Sequence, residues 1–443
     1  MGSKSRFSRR GFMKSSGMAM VGSGIVAGRP MPVRGEEQGQ DLKIHEYRTL
    51  GRTGFEVSDI SFGTGTLNNA NVLQVALDMG VNYIDTAEHY VGGQAERSVG
   101  EALRGRDRSK IFLTTKLNLT FGGGSTREAL KERFQQCLGR LQTDYADCLM
   151  IHMTPEVEQV RNEEFHAAYQ ELKADGKVRF LGLSNHGMEQ SWWGKIDVPM
   201  EAVLGAAVED GRFDVALFVY NFLQKDQGES IIEMCKSRGM GVTLMKTDPI
   251  NLYANIQNTL TQTEQSGRRI SESRAQMAQA YEEYISRADA FKSEHGIESE
   301  QDARSAAIRF CLDNSDVHCV CPSINTFDEL ENFVSLSGQK LTLEDEVLLA
   351  GYEGTLGQYY CRHACGVCEP SCPHQVPVNT IMRYNHYFDA HGREKHAMQK
   401  FAHLKAADSL PCLDCPGHCE SACPHEVPVR SLLVHAQNNL SLD

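Results

Sequence analysis

The chain has 443 residues, 41% of them hydrophobic and 23% charged, with a formal net charge of −13. That length suits one large domain plus a smaller one, and the apolar fraction is ordinary for a globular fold. The acidic balance excludes a nucleic-acid binder, which needs a basic footprint, and excludes charge-driven docking on an anionic membrane; no apolar run reaches the roughly 18 residues of a transmembrane helix.

The N-terminus carries an address. Ser8-Arg9-Arg10-Gly11-Phe12-Met13-Lys14 matches the twin-arginine pattern of bacterial export signals. A small, weakly apolar stretch from Gly17 to Ala27 follows, ahead of Glu36-Glu37-Gln38. Residues 1–35 are therefore expected to be a signal peptide and linker, sending the protein to the periplasm or cell envelope of a bacterium.

From residue 47 to about 345, short apolar β-branched runs alternate with helical-period stretches. The runs are Val57–Thr64, Val81–Ala87, Ile111–Leu117, Asp147–Met153, Val178–Asn185, Val215–Asn221, Val242–Lys246 and Val317–Ile324, with helices such as Gln94–Leu103 and Thr126–Leu141 between them. Eight βα units predict an α/β fold, a (β/α)₈ TIM barrel over 47–345. A doubly wound sheet would want a third glycine after Gly63-Thr64-Gly65, and none follows. Residues 248–305 read as a helical insertion, and the polar stretch Ser271–Lys292 suggests a helix with a solvated face or a lid over the barrel rim.

Barrel enzymes place their chemistry at the C-terminal ends of different strands. Here the second strand ends in Asp85-Thr86-Ala87 with Tyr90 just beyond, the third ends at Lys116 and the fourth at His152. An acid, a phenol, an ammonium and an imidazole thus converge from three adjacent strands.

These residues lie in strings that resemble the aldo/keto reductase family: Tyr47-Arg48-Thr49-Leu50-Gly51-Arg52-Thr53-Gly54, Gly80-Val81-Asn82-Tyr83-Ile84-Asp85-Thr86-Ala87, Thr115-Lys116, Ile151-His152 and Gly182-Leu183-Ser184-Asn185. The resemblance covers about 47–340 and implies hydride transfer between a nicotinamide and a small carbonyl or alcohol. It makes Tyr90 the general acid/base, Lys116 its tuner, Asp85 the partner of Lys116, and His152 the donor that orients the carbonyl oxygen. A phenol with a free pKa near 10 is a poor acid at neutral pH, so Lys116 is expected to lower it. The resemblance also assigns Ser184 and Asn185 to the carboxamide, Tyr220 to stacking on the nicotinamide ring, Glu331 and Asn332 to the adenine side of the dinucleotide, and makes Ser323 and Asn325 further cofactor candidates after the eighth strand. Two departures bear on the cofactor. Loop 322–333 has no basic residue for a 2′-phosphate, leaving NADP against NAD open, and Lys246, which stands where the family has a small apolar run, is expected to supply a phosphate contact instead.

The tail, residues 355–443, contains eight of the fourteen cysteines in two runs: Cys361, Cys365, Cys368, Cys372-Pro373, and Cys412, Cys415, Cys419, Cys423-Pro424. Cys372-Pro-His-Gln-Val-Pro-Val378 recurs as Cys423-Pro-His-Glu-Val-Pro-Val429. Structural zinc sites split into two knuckles across a longer loop, whereas these dense, duplicated runs closed by Cys-Pro suit two 4Fe-4S clusters. By the two-cluster ferredoxin pattern each fourth cysteine serves the other cluster, so Cys361, Cys365, Cys368 and Cys423 bind one, and Cys412, Cys415, Cys419 and Cys372 the other. The expected fold is a small, mainly helical iron–sulfur domain, with helices at Asn379–Tyr387 and Arg430–Gln437 and a helical stretch from Thr380 to Lys405. The other cysteines (Cys137, Cys148, Cys235, Cys311, Cys319, Cys321) read as buried thiols.

Together these features predict an exported oxidoreductase whose barrel transfers hydride and whose clusters relay electrons to or from a redox protein or quinone-linked partner. Twin-arginine export of a folded chain suits clusters loaded in the cytoplasm. The alternative is a non-catalytic redox sensor or electron-transfer subunit, with the barrel as a cofactor-binding scaffold.

Overall fold

The computed structural model describes residues 42–120, 123–187, 189–191, 194–196, 198–252, 272–363, 365–404, 411–413 and 415–441, with backbone only at 189–191, 194–196, 272–281 and 413. The export signal lies outside the described residues.

Eight parallel strands form the barrel: β1 (Phe62–Gly63), β2 (Tyr83–Asp85), β3 (Phe112–Leu117), β4 (Ala146–Ile151), β5 (Val178–Asn185), β6 (Val215–Val219), β7 (Gly241–Met245) and β8 (Cys319–Val320). Each pairs with the next in sequence. Parallel bridges Ile60↔Val320 and Gly63↔Ser323 join the last strand to the first. Every residue of β3 and of β4 is buried, as a parallel sheet covered on both faces requires. Outside lie α1 (Ala70–Asp78), α2 (Gln94–Leu103), α3 (Arg127–Leu141), α4 (Glu163–Ala174), α5 (Met200–Asp210) and α6 (Lys225–Ser237). An antiparallel hairpin, Tyr47–Thr49 with Glu56–Ser58, precedes β1. Its tip residue Arg52 bonds Asp214 just before β6 (Nε–Oδ1 2.7 Å), so the hairpin covers the N-terminal end of the barrel. The C-terminal strand ends are left for function.

Within the inserted region, Asp248, Gln301 and Arg304 line the barrel mouth, while the described side chains of its long helix do not. Helix α7 (Glu272–Glu294) is followed by α8 (Glu300–Asp313) before β8, then α9 (Phe327–Val334) and α10 (Leu343–Leu356). Tyr284, Ala288 and Phe291 of α7 are buried in a second apolar core, with Leu349, Tyr352 and Leu356 of α10 and with tail residues such as Val378, Ile381, Phe401 and Leu433. The Tyr284 hydroxyl donates to Asn251 O at 2.6 Å. This helix is therefore a pillar under the tail: its apolar residues hold it in the second core, and none of its described side chains lines the barrel mouth.

The tail carries α11 (Val378–Asp389), α12 (Glu394–Ala402) and α13 (Val429–Leu440). The helical stretch expected over Thr380–Lys405 breaks at residues 390–393, where Gly392 takes φ +59° and reverses the chain. The repeat read in the sequence is also a structural one. Gln375 and Glu426, in equivalent positions, both adopt a left-handed conformation (φ 53° and 54°). Glu369 Oε1 accepts from Asn379 N (2.9 Å) as Glu420 Oε1 accepts from Arg430 N (2.8 Å), satisfying an orphan amide at the start of α11 and α13. Asp389 binds α13 through His435 Nε2 (3.1 Å). Among the described residues no helix is long and apolar enough to cross a membrane.

Candidate active site

The four strand-end residues converge. Lys116, at the end of β3, is fully buried and donates to Asp85 Oδ1 at 2.5 Å and to Thr86 O at 2.8 Å. Its ammonium lies 5.1 Å from the centre of the Tyr90 ring. The Tyr90 and His152 rings meet edge to face with centroids 5.5 Å apart. Asp85, Tyr90 and His152 line a cavity of about 450 Å³ at the C-terminal mouth.

The local backbone explains how Tyr90 is held. Val91, Gly92 and Gly93 follow it with φ of 51°, 62° and 83°. A β-branched residue in the left-handed region is costly, by roughly 1–2 kcal/mol, and such strain collects at functional sites. Met153 and Lys246, just after β4 and β7, are also left-handed (φ 55° each) and line the same cavity. Glu88, buried, binds the Arg133 guanidinium of α3 and accepts from Asn118 N (3.0 Å), tying the Tyr90 loop to the end of β3.

Electrostatics correct one expectation. Lys116 was expected to bring the Tyr90 phenol down; burial instead pushes it up to about 12, outweighing the lowering by Lys116. Lys116 itself stays charged: burial opposes its charge, but Asp85 and Tyr90 raise its pKa further than burial lowers it. Burial lifts the Asp85 carboxyl, and Lys116 partly offsets this. His152 is held well below its ordinary value by burial and then by Lys116, so it is a neutral imidazole, and its buried Nδ1 has no hydrogen-bond partner. The tetrad is thus a protonated phenol backed by a cation, beside a neutral hydrogen-bonding ring.

Removing one member of the Lys116–Asp85 pair would strand a buried charge. Lys116→Met is expected to cost about 3–5 kcal/mol in urea unfolding, and Lys116→Met with Asp85→Leu to recover most of it, because the stranded carboxylate is gone. Equal losses in the single and double variants would show that the pair is not coupled.

The expected cofactor contacts divide. Lys246, Ser323 and Asn332 line the cavity. Ser184 and Asn185 are fully buried and engaged by the β4 turn: Ser184 Oγ accepts from Met153 N (3.0 Å), and Asn185 Nδ2 donates to Thr154 O (2.8 Å). Tyr220 follows β6 with the parity of its outward face, whereas Leu217 looks into the cavity. Its ring stacks on Phe310 of α8 with centroids 5.6 Å apart. Tyr220 is therefore core packing and not cavity wall. Asn325 is not part of the cavity lining but accepts from Thr66 Oγ1 (2.7 Å), which is, and Glu331 is exposed on α9. Of the six scattered cysteines, Cys321 also lines the cavity; the other five are buried, and all are free thiols.

The opposite wall of the cavity comes from the tail, which no strand-end reading could find. Arg383, Tyr384, His386 and Tyr387 of α11, and His391, Arg393, His396 and Lys400 at or near α12, all line it. Burial pushes His386 down to about 3 and His396 to about 4. His386 and His391 approach at 3.2 Å between their Nε2 atoms, and Lys246 Nζ lies 3.2 Å from His186 Nδ1. The only sequence signal was basic and aromatic residues at helical spacing, with nothing to say what they faced.

The eight tail cysteines form two neighbourhoods. Cys361 has Cys368, Cys365 and Cys423 as charge neighbours, and Cys412 has Cys419, Cys372 and Cys415. Each fourth cysteine thus sits with the other run. Burial pushes the Cys361 thiol well up, Cys368 and Cys412 to about 12 and Cys419 to about 11. Thiols held this way are inert unless a cation draws off the proton. Asn379 Nδ2 donates to Cys361 Sγ at 3.5 Å. Among the described residues, no group of three or more His, Cys, Asp or Glu side chains is placed to hold a single metal ion.

Comparison with known proteins settles the family. The profile described as "Aldo/keto reductase family" matches residues 59–348, more than half of the chain. The chain belongs to the aldo/keto reductase family. It is 30% identical over 209 residues to the aldo-keto reductase YhdN of Bacillus subtilis (strain 168), covering 43% of this chain and 58% of that protein. It is 30% identical over 221 residues to a probable voltage-gated potassium channel subunit beta of Arabidopsis thaliana, covering 45% and 62%. The chain spans only 48% to 58% of the length of the first curated relatives it matches. Aldo-keto reductase AKR11C1 from Bacillus halodurans, in its holo form, shares the fold with a TM-score of 0.51 at 22% identity, covering 69% of this chain and 95% of that one. The four converging residues fall within the matched region, and the cysteine tail lies beyond it.

Proposed function

We propose that the protein is an exported oxidoreductase in which the barrel transfers hydride between a nicotinamide and a small carbonyl or alcohol, and two 4Fe-4S clusters in the tail relay electrons to or from a redox protein or quinone-linked partner. The observation that carries this reading is the shared cavity: the tetrad forms one wall and the cysteine module the other. His363, two residues beyond Cys361, lines that cavity, so the first cysteine neighbourhood borders the tetrad site.

The thiols suit clusters better than a single ion. In a cubane each cysteine binds its own iron, spreading the sulfurs wider than four ligands about one zinc. The crossed neighbourhoods, the duplicated glutamate contacts and the Asn379 bond to Cys361 Sγ support that assignment. The nicotinamide dinucleotide fits at its phosphate side. Arg393 Nε is buried without a hydrogen-bond partner, and Lys246, Ser323 and Asn332 open onto the same cavity. These four residues would hold it, and Arg393 brings to loop 322–333 the base that the loop lacks. When bound, the dinucleotide supplies the hydride. Tyr90 delivers the proton to the carbonyl oxygen, Lys116 stabilises the charge left on the phenol, and neutral His152 hydrogen-bonds the oxygen. The engaged Ser184 and Asn185 and the outward Tyr220 favour a second reading, a non-catalytic redox sensor with the barrel as scaffold.

Anaerobic purification of the full chain separates these readings. The expected preparation contains about eight iron and eight sulfide per chain with dithionite-bleached absorbance near roughly 400 nm, and it consumes NADPH or NADH when given an aldehyde. Absence of iron and sulfide would reject the clusters. Clusters without any aldehyde-dependent turnover would leave the scaffold reading.

A further inference from the structure

We propose that Glu88 is a positioning residue for the tetrad: its carboxylate, with Asn118 and Arg133, fastens together the three chain segments that carry Tyr90, Lys116 and His152. This rests on the reading that the tetrad works on a carbonyl or alcohol, and adds what fixes its geometry.

Glu88 stands two residues before Tyr90, in the loop after β2, and its side chain is buried. Arg133 of α3 donates to it through Nε (3.0 Å to Oε2) and through Nη2. Asn118, the residue after β3, donates its backbone amide to Glu88 Oε1 at 3.0 Å. The Glu88 amide in turn donates to Lys116 O at 3.2 Å. Asn118 extends the link to the next strand, where its Nδ2 donates to His152 O at 3.0 Å. Arg133 closes the network: Nη2 also donates to Asn118 O (2.7 Å) and Nη1 to Gly124 O (2.6 Å). One carboxylate is thus bonded to the segments that follow β2 and β3, and through Asn118 to the end of β4. Burial alone would raise the Glu88 pKa, but His89, Arg133 and the Asn118 amide hold it below the ordinary carboxylate value. These are charge-assisted bonds, roughly twice as strong as neutral ones.

Two further observations say why such a fastening matters. Glu88, Asn118 and Arg133 are all absent from the cavity lining, so they act on the reaction only through the groups they hold. Tyr90 is followed by the left-handed turn Val91–Gly93, and a β-branched residue stays in that region only where its surroundings over-determine it. Glu88 is the anchor on the N-terminal side of that turn. With the anchor loosened, the Tyr90 ring is free to move from its place 5.1 Å from the Lys116 ammonium. A displacement of about 1 Å at a reacting group costs on the order of 10²-fold in rate.

The test compares wild type, Glu88→Gln, Tyr90→Phe and the double variant as full chains, with benzaldehyde and NADPH or NADH. Glu88→Gln is expected to lower kcat roughly 10–100-fold with KM changed less than about threefold. In the Tyr90→Phe background the same change should cost less than about threefold, because the group it positions has already lost its proton. A merely structural glutamate would cost the same factor in both backgrounds, and that result overturns the proposal, as does an unchanged kcat in Glu88→Gln. If Glu88→Gln fails to fold because it strands the Arg133 charge, Glu88→Gln with Arg133→Met removes both charges and takes its place in the comparison. Amide hydrogen exchange supplies a readout that needs no turnover. Exchange should quicken at residues 88–93 and 118–120 in the Glu88 variant and stay as in wild type over β6 and β7; no change at the first two segments overturns the proposal. If wild type reduces no aldehyde yet exchange quickens there, the fastening stands and the reductase reading fails.

Discussion

Tyr90→Phe is expected to lower carbonyl reduction by about 10²–10⁴-fold with little change in KM, because the variant keeps the ring and loses only the proton. The ring is held by the left-handed turn at Val91–Gly93 and by its edge contact with His152, so the fold should be unaffected. The pH dependence follows from burial. The phenol is pushed up to about 12, and a raised pKa keeps the acid protonated at every pH below it. Reduction should therefore show no alkaline limb from Tyr90 below about pH 10, while alcohol oxidation, which needs the phenolate, should climb with pH over the same range. Steady-state rates in both directions, wild type against Tyr90→Phe, check this. Unchanged reduction in the variant would move the proton donor elsewhere.

The second large effect concerns the cysteines. Cys423→Ser is expected to remove the cluster held by Cys361, Cys365 and Cys368, lowering iron from about eight to about four per chain. Paired variants decide the crossing. Cys361→Ser with Cys423→Ser should retain about four irons, since both serve one cluster, whereas Cys412→Ser with Cys423→Ser should retain almost none. The reverse result would assign each run its own cluster. Because the thiols are buried and pushed up, losing a proposed cluster would leave protonated thiols facing one another, and the tail should then unfold at lower urea.

The barrel was legible because its strands are continuous buried runs: β3 and β4 carry no exposed position to blur the pattern. The tetrad was legible for a related reason, since strand ends of a barrel converge whatever lies between them. Cofactor contacts were less legible. Tyr220 lies at a strand end of the right kind, yet one step of strand parity turns its ring out onto Phe310. The helix at 272–294 read as a solvated helix or a lid because its charged face is visible in sequence, while the partners of Tyr284 and Phe291 lie on α10 and in the tail.

Local pattern therefore sufficed for the closed barrel, the four converging strand-end positions, the family and the duplicated cysteine runs, because each depends on spacing within a short segment or on a period the backbone imposes. Three matters were decided by folding alone. The tail helps to line the barrel mouth; the phenol of Tyr90 is raised, not lowered; and Arg393 and Lys400 share one cavity with Asp85, Tyr90 and His152. Each depends on contacts between residues tens to hundreds of positions apart, and on a desolvation that exists only once those surfaces have closed.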